Sequence, residues 1–334
     1  VPVEISSESF ASSTRFCELT ARVYNMISTP RIFMKISDLI KPPLMLSDEK
    51  LNQIFDHLQS KYQKGADPWG LDLDKLRHYI SILYPFYKNY FSVRTFGTEN
   101  IQTDEQYIFV CNHTGQIAFD GMLIAMASLL EFPVPRIVRG MIERWMAGLP
   151  FIANISASAG SILGDRKNCL YLLDQGESIL VFPEGVKGIA KSTENFYKMT
   201  NFTTGFFRMA LSHKVNIVPV AVVGAEEAYP WVHHSKLLSK ILNLPAFPIT
   251  PTFPLLGPLG FLPLPSPIDI YFGKPFILPP SLDSEAPDED INLQVLEVKN
   301  QIKLMLIKGL KERRPFFDKL SFLGIKGLKD KREL

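Results

Sequence analysis

Apolar residues are spaced in two different ways along this chain. Near the N-terminus they recur at helical intervals. Ile54, Leu58 and Tyr62 follow Ser47, a capping residue type, with Asp48 and Glu49 in the first turn, and Gly65 is placed to end the helix. A second helical pattern runs from Asp72 to Tyr90, rich in Tyr and Phe, with a kink expected at Pro85. From about Ser92 compact apolar runs alternate with helical patterns. The runs predict strands at Tyr107–Cys111, Arg136–Arg139, Ser178–Phe182, Asn216–Gly224 and Ile268–Phe272. Between them the periodicity predicts helices at Phe119–Leu130, Lys167–Asp174 and Thr204–His213, and a closing helix over Asp290–Arg314. Strand and helix in alternation predict an α/β fold: a central mixed, mostly parallel sheet flanked by helices, with an N-terminal helical accessory region. The expected division is a helical region over 1–95, a sheet domain over 96–275 and a helical, basic tail over 276–334. In such folds sites form at the carboxyl ends of strands.

Composition narrows the function classes. A formal net charge of +2 over 334 residues gives no strong pull toward nucleic acid, and neither zinc-finger spacing nor basic–aromatic interleaving is present. Three scattered cysteines, Cys17, Cys111 and Cys169, make no disulfide framework and fit a reducing compartment. Adjacent His233 and His234 project in different directions, so they are not a metal pair, and no metal or cofactor is expected.

The strand at Tyr107–Cys111 ends in Asn112-His113, followed by Gly115 and Asp120. On one continuous helix a seven-residue separation would hold the two side chains roughly 10 Å apart. Gly115 permits a turn that folds Asp120 back to the ring. A carboxylate bonded to one ring nitrogen fixes the tautomer and frees the other as a base for a hydroxyl. Taken alone, the same pair also describes a structural histidine with a satisfied ring. A second block, Ala159 to Asn168, places Arg166 and Lys167 after the Gly160 turn at a helix start, an arrangement for an anion or a solvated surface pair. A third, Phe182-Pro183-Glu184-Gly185 with Lys187, puts an acid at a strand end, where an ordinary turn is the alternative. A fourth, Ile217-Val218-Pro219-Val220, sets a proline inside an apolar strand and implies a bulge or an edge.

In this order the four blocks resemble the PlsC-type glycerolipid acyltransferase family, over roughly 97–273. The loop between His113 and Asp120 is longer than the family's usual one, and with the Val222–Pro230 run it looks closer to the branch likened to monoacylglycerol and diacylglycerol acyltransferases. The resemblance implies transfer of an acyl group from acyl-CoA or acyl carrier protein, as co-substrate, to a hydroxyl of a glycerolipid. His113 would be the base and Asp120 its support. Arg166, with Gly160 and Lys167, would grip an acceptor phosphate, and Glu184, with Gly185 and Lys187, would bind a glycerol hydroxyl.

Two other readings stay open. A lipase or esterase needs a Gly-x-Ser-x-Gly elbow, and the nearest stretch, Ser156-Ala157-Ser158-Ala159-Gly160, lacks the first glycine. A lipid-binding protein with a retired site has no need to keep His113, Asp120 and Glu184 together. The stretch 241–268 holds no charge before Asp269, yet prolines recur, so no spanning helix is expected there. Its Leu and Phe content, beside Lys236, Lys240 and a basic tail, leads to an expectation of peripheral, monotopic association with the cytoplasmic face of a membrane.

Overall fold

The computed structural model describes residues 45–314, apart from 63–66, 115–118, 150–151, 186–187, 189–190, 192–194, 230–232, 236–247, 250–255, 258–259 and 261. Helix α1, Asp48–Lys61, begins where the Ser47 side chain accepts the Lys50 N–H, and it buries Leu51, Ile54, Phe55 and Leu58. It gives way to extended backbone at Tyr62, and Gly65 lies outside the described residues. Helix α2, Leu73–Pro85, is capped by Asp72. At Pro85, which has no N–H to give, the helix widens into a π turn over Phe86–Tyr90, the form taken by the expected kink.

The remaining elements follow in α/β alternation. They are β1 (Arg94–Phe96), β2 (Tyr107–Cys111), α3 (Phe119–Leu130), β3 (Val138–Ile142), α4 (Arg144–Ala147), α5 (Ile152–Ser158), β4 (Ile162–Leu163), α6 (Arg166–Asp174), β5 (Ser178–Val181), α7 (Gly205–His213), β6 (Asn216–Val223), β7 (His233–His234), β8 (Pro248–Ile249), β9 (Asp269–Phe272) and α8 (Asp288–Glu312). Seven strands form one sheet in the order β1-β9-β6-β2-β5-β3-β4. Every neighbouring pair is parallel except β6 and β9. This is the mixed, mostly parallel sheet the sequence predicts. The histidine pair lies in β7, which pairs with β8 apart from the main sheet.

Both faces of the sheet are covered. Tyr107, Phe109 and Cys111 of β2 pack with α1, α2 and α3, while Ile108 and Val110 of the same strand pack with α6, α7 and α8. The period-two alternation of a strand sends neighbouring residues to opposite faces, so a strand buried on both sides reads as one apolar run. Helices α1 and α2 thus supply one wall of the sheet's own core, and the division expected at 95/96 cuts through β1 and its surroundings. Strand β3 starts later than predicted, because Arg136 is spent outside it, donating to the carbonyls of Gln102, Thr103 and Glu105.

Pro219 sits in the middle of β6, opposite Val110 of β2. Val220 pairs with Phe272, whereas Ile217 bridges Phe276, so the facing chain carries one residue more than β6 over this interval. That is a β-bulge, and it accommodates a residue with no N–H in a central strand.

Candidate active site

Strands β2 and β5 are neighbours whose chains leave toward opposite faces of the sheet: β2 leads into α3 on one side and β5 leads on to α7 on the other. A sheet that reverses its winding in this way opens a crevice at the carboxyl ends of the two strands. His113 follows β2 and Glu184 follows β5, so both candidate residues border that crevice.

His113 is 6% exposed and Asp120 is fully buried. His113 Nδ1 lies 2.8 Å from Asp120 Oδ2. The same carboxylate accepts the N–H groups of Thr114 and Gly121, each at 2.8 Å. A carboxyl group already accepting two amide donors acts as an acceptor toward the ring as well, so Nδ1 carries the hydrogen and Nε2 has a free lone pair. Nε2 makes no hydrogen bond among the described residues. The Phe182 ring stacks on the imidazole at 4.2 Å between centroids and 22° between planes, which fixes the ring and dries one of its faces. Position 120 is the second residue of α3, so the carboxylate also lies where a helix N-terminus favours negative charge.

Glu184 does not stand open to a substrate. Its Oε1 accepts the His113 N–H at 3.0 Å and its Oε2 accepts the Thr200 N–H at 2.6 Å. The Lys191 ammonium lies 3.0 Å from Oε2 and 3.3 Å from Oε1. The residue is buried. With both oxygens committed, the expected role as a ligand for a glycerol hydroxyl gives way to organising the two loops around His113. Because the amides of His113 and Thr114 are also taken by carboxylates, the donors for a developing oxyanion have to be other groups.

Gly188 meets the loop at its tightest point. A β-carbon there would stand 2.6 Å from His113 Cβ and 2.9 Å from Glu184 Cβ, so only glycine allows this approach. Gly185 closes the Phe182–Gly185 turn through a bond from its N–H to the Phe182 carbonyl. Lys187 lies outside the described residues.

Arg166 and Lys167 begin α6 and are exposed, at the carboxyl edge of β4. The Asp165 side chain caps this helix by accepting the Lys167 and Asn168 N–H groups. Strand β4 is three places from β2 in the sheet, a strand separation of about 14 Å, and both residues follow carboxyl ends on the same edge. Gly160 is not part of that edge. It takes a left-handed conformation, φ +94°, ahead of β4, and its carbonyl accepts the buried Arg139 guanidinium, which also pairs with Asp67 at 2.6 Å. Ser158, in the stretch nearest to a nucleophile elbow, is buried and bonded to the Asn154 carbonyl and Tyr79 hydroxyl.

A second charged layer, Lys191 with Glu226 and Glu227, lies beneath the site without a motif to mark it in the sequence. Lys191 donates to the His113 carbonyl at 3.2 Å and stands 3.8 Å from Glu226 Oε1. Glu226 accepts the Tyr197 N–H at 2.6 Å. Glu227 bonds the Tyr197 hydroxyl and pairs with Arg313 at the end of α8 at 2.8 Å. Burial, opposed by Lys191 and reinforced by Glu227, pushes the Glu226 carboxyl up to about 8. Among the described residues no group of three or more His, Cys, Asp or Glu side chains could hold a metal ion.

Residues 92–223 match the family described as Acyltransferase. An uncharacterized protein of Mycobacterium tuberculosis is 37% identical over 234 residues, which cover 70% of this chain and 65% of that protein. This chain therefore spans less than two thirds of that relative's length. Acyl-CoA wax alcohol acyltransferase 2 of mouse is 26% identical over 231 residues, 63% of this chain and 67% of that one. Among solved structures, the 1-acyl-sn-glycerophosphate acyltransferase PlsC of Thermotoga maritima aligns with 91% of this chain and 99% of its own, at 14% identity and a TM-score of 0.46. The match to the Acyltransferase family covers the segment that carries His113, Asp120, Arg166 and Glu184.

Proposed function

We propose that the protein is an O-acyltransferase, moving a fatty acyl group from a thioester, acyl-CoA or acyl carrier protein, to a hydroxyl of a glycerolipid such as a lysophospholipid or an acylglycerol. The observation that carries this reading is the buried His113–Asp120 pair at the carboxyl end of β2, with Nε2 unbonded among the described residues. His113 Nε2 takes the proton of the acceptor hydroxyl as its oxygen attacks the thioester carbonyl. Asp120 holds the ring and stabilises the imidazolium. When the tetrahedral intermediate collapses, the C–S bond breaks and the thiolate leaves with the proton returned from Nε2. The product is an ester plus a free thiol, and the histidine is restored. The reaction needs no serine nucleophile, consistent with the buried, bonded position of Ser158.

The acceptor is read from the outer part of the crevice. In this reading Arg166, exposed at the carboxyl edge of β4, meets a phosphate while a neighbouring hydroxyl approaches His113. An uncharged alcohol is the second reading, favoured by the longer His113–Asp120 loop and by the name of the mouse relative. Incubation with labelled acyl-CoA and a panel of lysophosphatidic acid, monoacylglycerol, diacylglycerol and long-chain alcohol separates them. With a phosphate acceptor, Arg166→Ala loses a charge-assisted bond of roughly 1.5–3 kcal/mol, and acceptor KM rises while donor KM holds. Unchanged KM for both substrates, or preference for an uncharged acceptor, overturns the phosphate assignment.

The same reading includes docking at a membrane surface. Among the described residues no helix is long and apolar enough to cross a membrane. Leu256 and Leu262, in the charge-free stretch, are exposed at 45% and 60%, which supports interfacial contact. Much of that stretch, including Phe253 and Leu255, lies outside the described residues, as does the basic segment after 314.

A further inference from the structure

The layer beneath the site contains a cation that the acyl-transfer chemistry does not itself use. Lys191 is 9% exposed, and its ammonium touches three oxygens on two different loops. It reaches both Glu184 oxygens on the loop after β5 and the His113 carbonyl on the loop after β2. Glu184 in turn receives the His113 N–H. The histidine backbone is thus held at its N–H by the carboxylate and at its carbonyl by the ammonium, and those two groups are paired to each other. Nothing else among the described residues neutralises Glu184. A buried charge stripped of its partner either rearranges or changes protonation.

We infer that Lys191 is a positioning residue of this site: its ammonium ties the two loops together and so holds the His113 ring in register with Asp120. The inference rests on the acyl-transfer reading for its effect on turnover, though not for its effect on the ring. Lysine suits the place because a compact ammonium with three donors can serve a carboxylate and a carbonyl at once.

Glu226 is the competitor built into this arrangement. It faces Lys191 at 3.8 Å, the Tyr197 N–H at 2.6 Å, and the carboxylates of Glu227 and Glu184. Its Oε1 is buried without a hydrogen-bond partner among the described residues. Glu227 is already served by Arg313 and Tyr197, and Glu184 by Lys191, which leaves Glu226 as the surplus acid. Once ionised, Glu226 draws the ammonium away from the His113 carbonyl. The clamp therefore loosens as pH rises.

The test uses Lys191→Met, Lys191→Arg and Glu226→Gln in the full chain. In Lys191→Met, kcat is expected to fall on the order of tenfold to hundredfold, as for a misplaced reacting group, with KM for acyl-CoA within about threefold. Lys191→Arg, which keeps a cation, is expected to recover part of the loss. Between about pH 7 and about pH 9 the fall in turnover is expected to be smaller in Glu226→Gln than in wild type. A readout independent of catalysis is the downfield Nδ1–H proton of His113, assigned by its absence in His113→Ala. It is expected to exchange faster in Lys191→Met while melting stays cooperative. Unchanged kcat, a loss confined to KM, or an unaltered His113 proton overturns the inference. If Lys191→Met does not fold, an alkaline limb in Glu226→Gln that matches wild type overturns it instead. Absence of acyl transfer by the wild type refutes the proposed function, while the His113 proton still decides the clamp.

Discussion

At the scale of single residues, the site works by giving its two central carboxylates several donors each. Asp120 takes two amides and an imidazole, and Glu184 takes two amides and an ammonium. Glu226 is the exception, and it carries a prediction on stability. Burial raises its carboxyl from an ordinary value near 4.5 to about 8. A group that binds its proton more tightly in the folded chain stabilises that chain fully below its unfolded value. The stabilisation drains away as pH rises through the folded value. Wild type should lose stability relative to Glu226→Gln between about pH 5 and about pH 9, so the difference in Tm between the two should move steadily in favour of the variant. A difference that stays constant with pH would mean that Glu226 titrates normally. None of this was legible in the sequence. Glu226-Glu227 read as part of a family-like run, and Lys191 stands in a polar stretch with no periodicity to mark it as buried. Their burial depends on long-range packing, with partners 78 residues away in the chain for Lys191 to His113 and 86 for Glu227 to Arg313.

At the scale of elements, legibility followed burial on both faces. Strand β2 and helix α3 have the predicted bounds, since a run of five buried residues and an apolar helix leave no ambiguity of period. The Ser47 cap and the Pro219 bulge were legible because each follows from local backbone chemistry. Strands β1 and β4, of three and two residues, and the short helices α4 and α5 were not, because elements that short hold no more than about two periods of pattern. Helix α8 gives the element-scale prediction. Its buried residues, Ile291, Val295, Val298, Ile302 and Leu306, form a stripe against the sheet, whereas Leu304 points outward. Ile302→Ala should cost about 2–5 kcal/mol, as for other large-to-small core changes, and Leu304→Ala less than about 0.5 kcal/mol. Chemical denaturation reads both. Equal costs would mean that the helix presents another face.

At the scale of the whole molecule, the sheet edge that carries His113 also carries Arg166, and the chain's charge-free stretch leads into β9. If that stretch meets lipid, wild type should float with anionic vesicles, and Leu256→Ser with Leu262→Ser should release it while circular dichroism and melting stay unchanged. Failure of the wild type to float, or unfolding of the variant in place of release, would assign the stretch to internal packing. The helices α1 and α2 illustrate what sequence order hides at this scale. Read along the chain they precede the sheet and resemble an accessory region, but Leu58 and Ile80 share one core with Phe109. Only the closed fold shows which apolar stripe meets which face. The claim on which the functional reading depends is that His113 Nε2 removes a proton from an acceptor hydroxyl. It is tested most directly by acyl transfer from labelled acyl-CoA to the preferred acceptor, comparing wild type, Asp120→Asn and His113→Ala under saturating substrates. The expected result is a fall in turnover of about a hundredfold or more for His113→Ala, with a cooperative melt retained, and a marked fall for Asp120→Asn, whose amide can hold the ring in the wrong tautomer. A folded His113→Ala protein that turns over at the wild-type rate would contradict it.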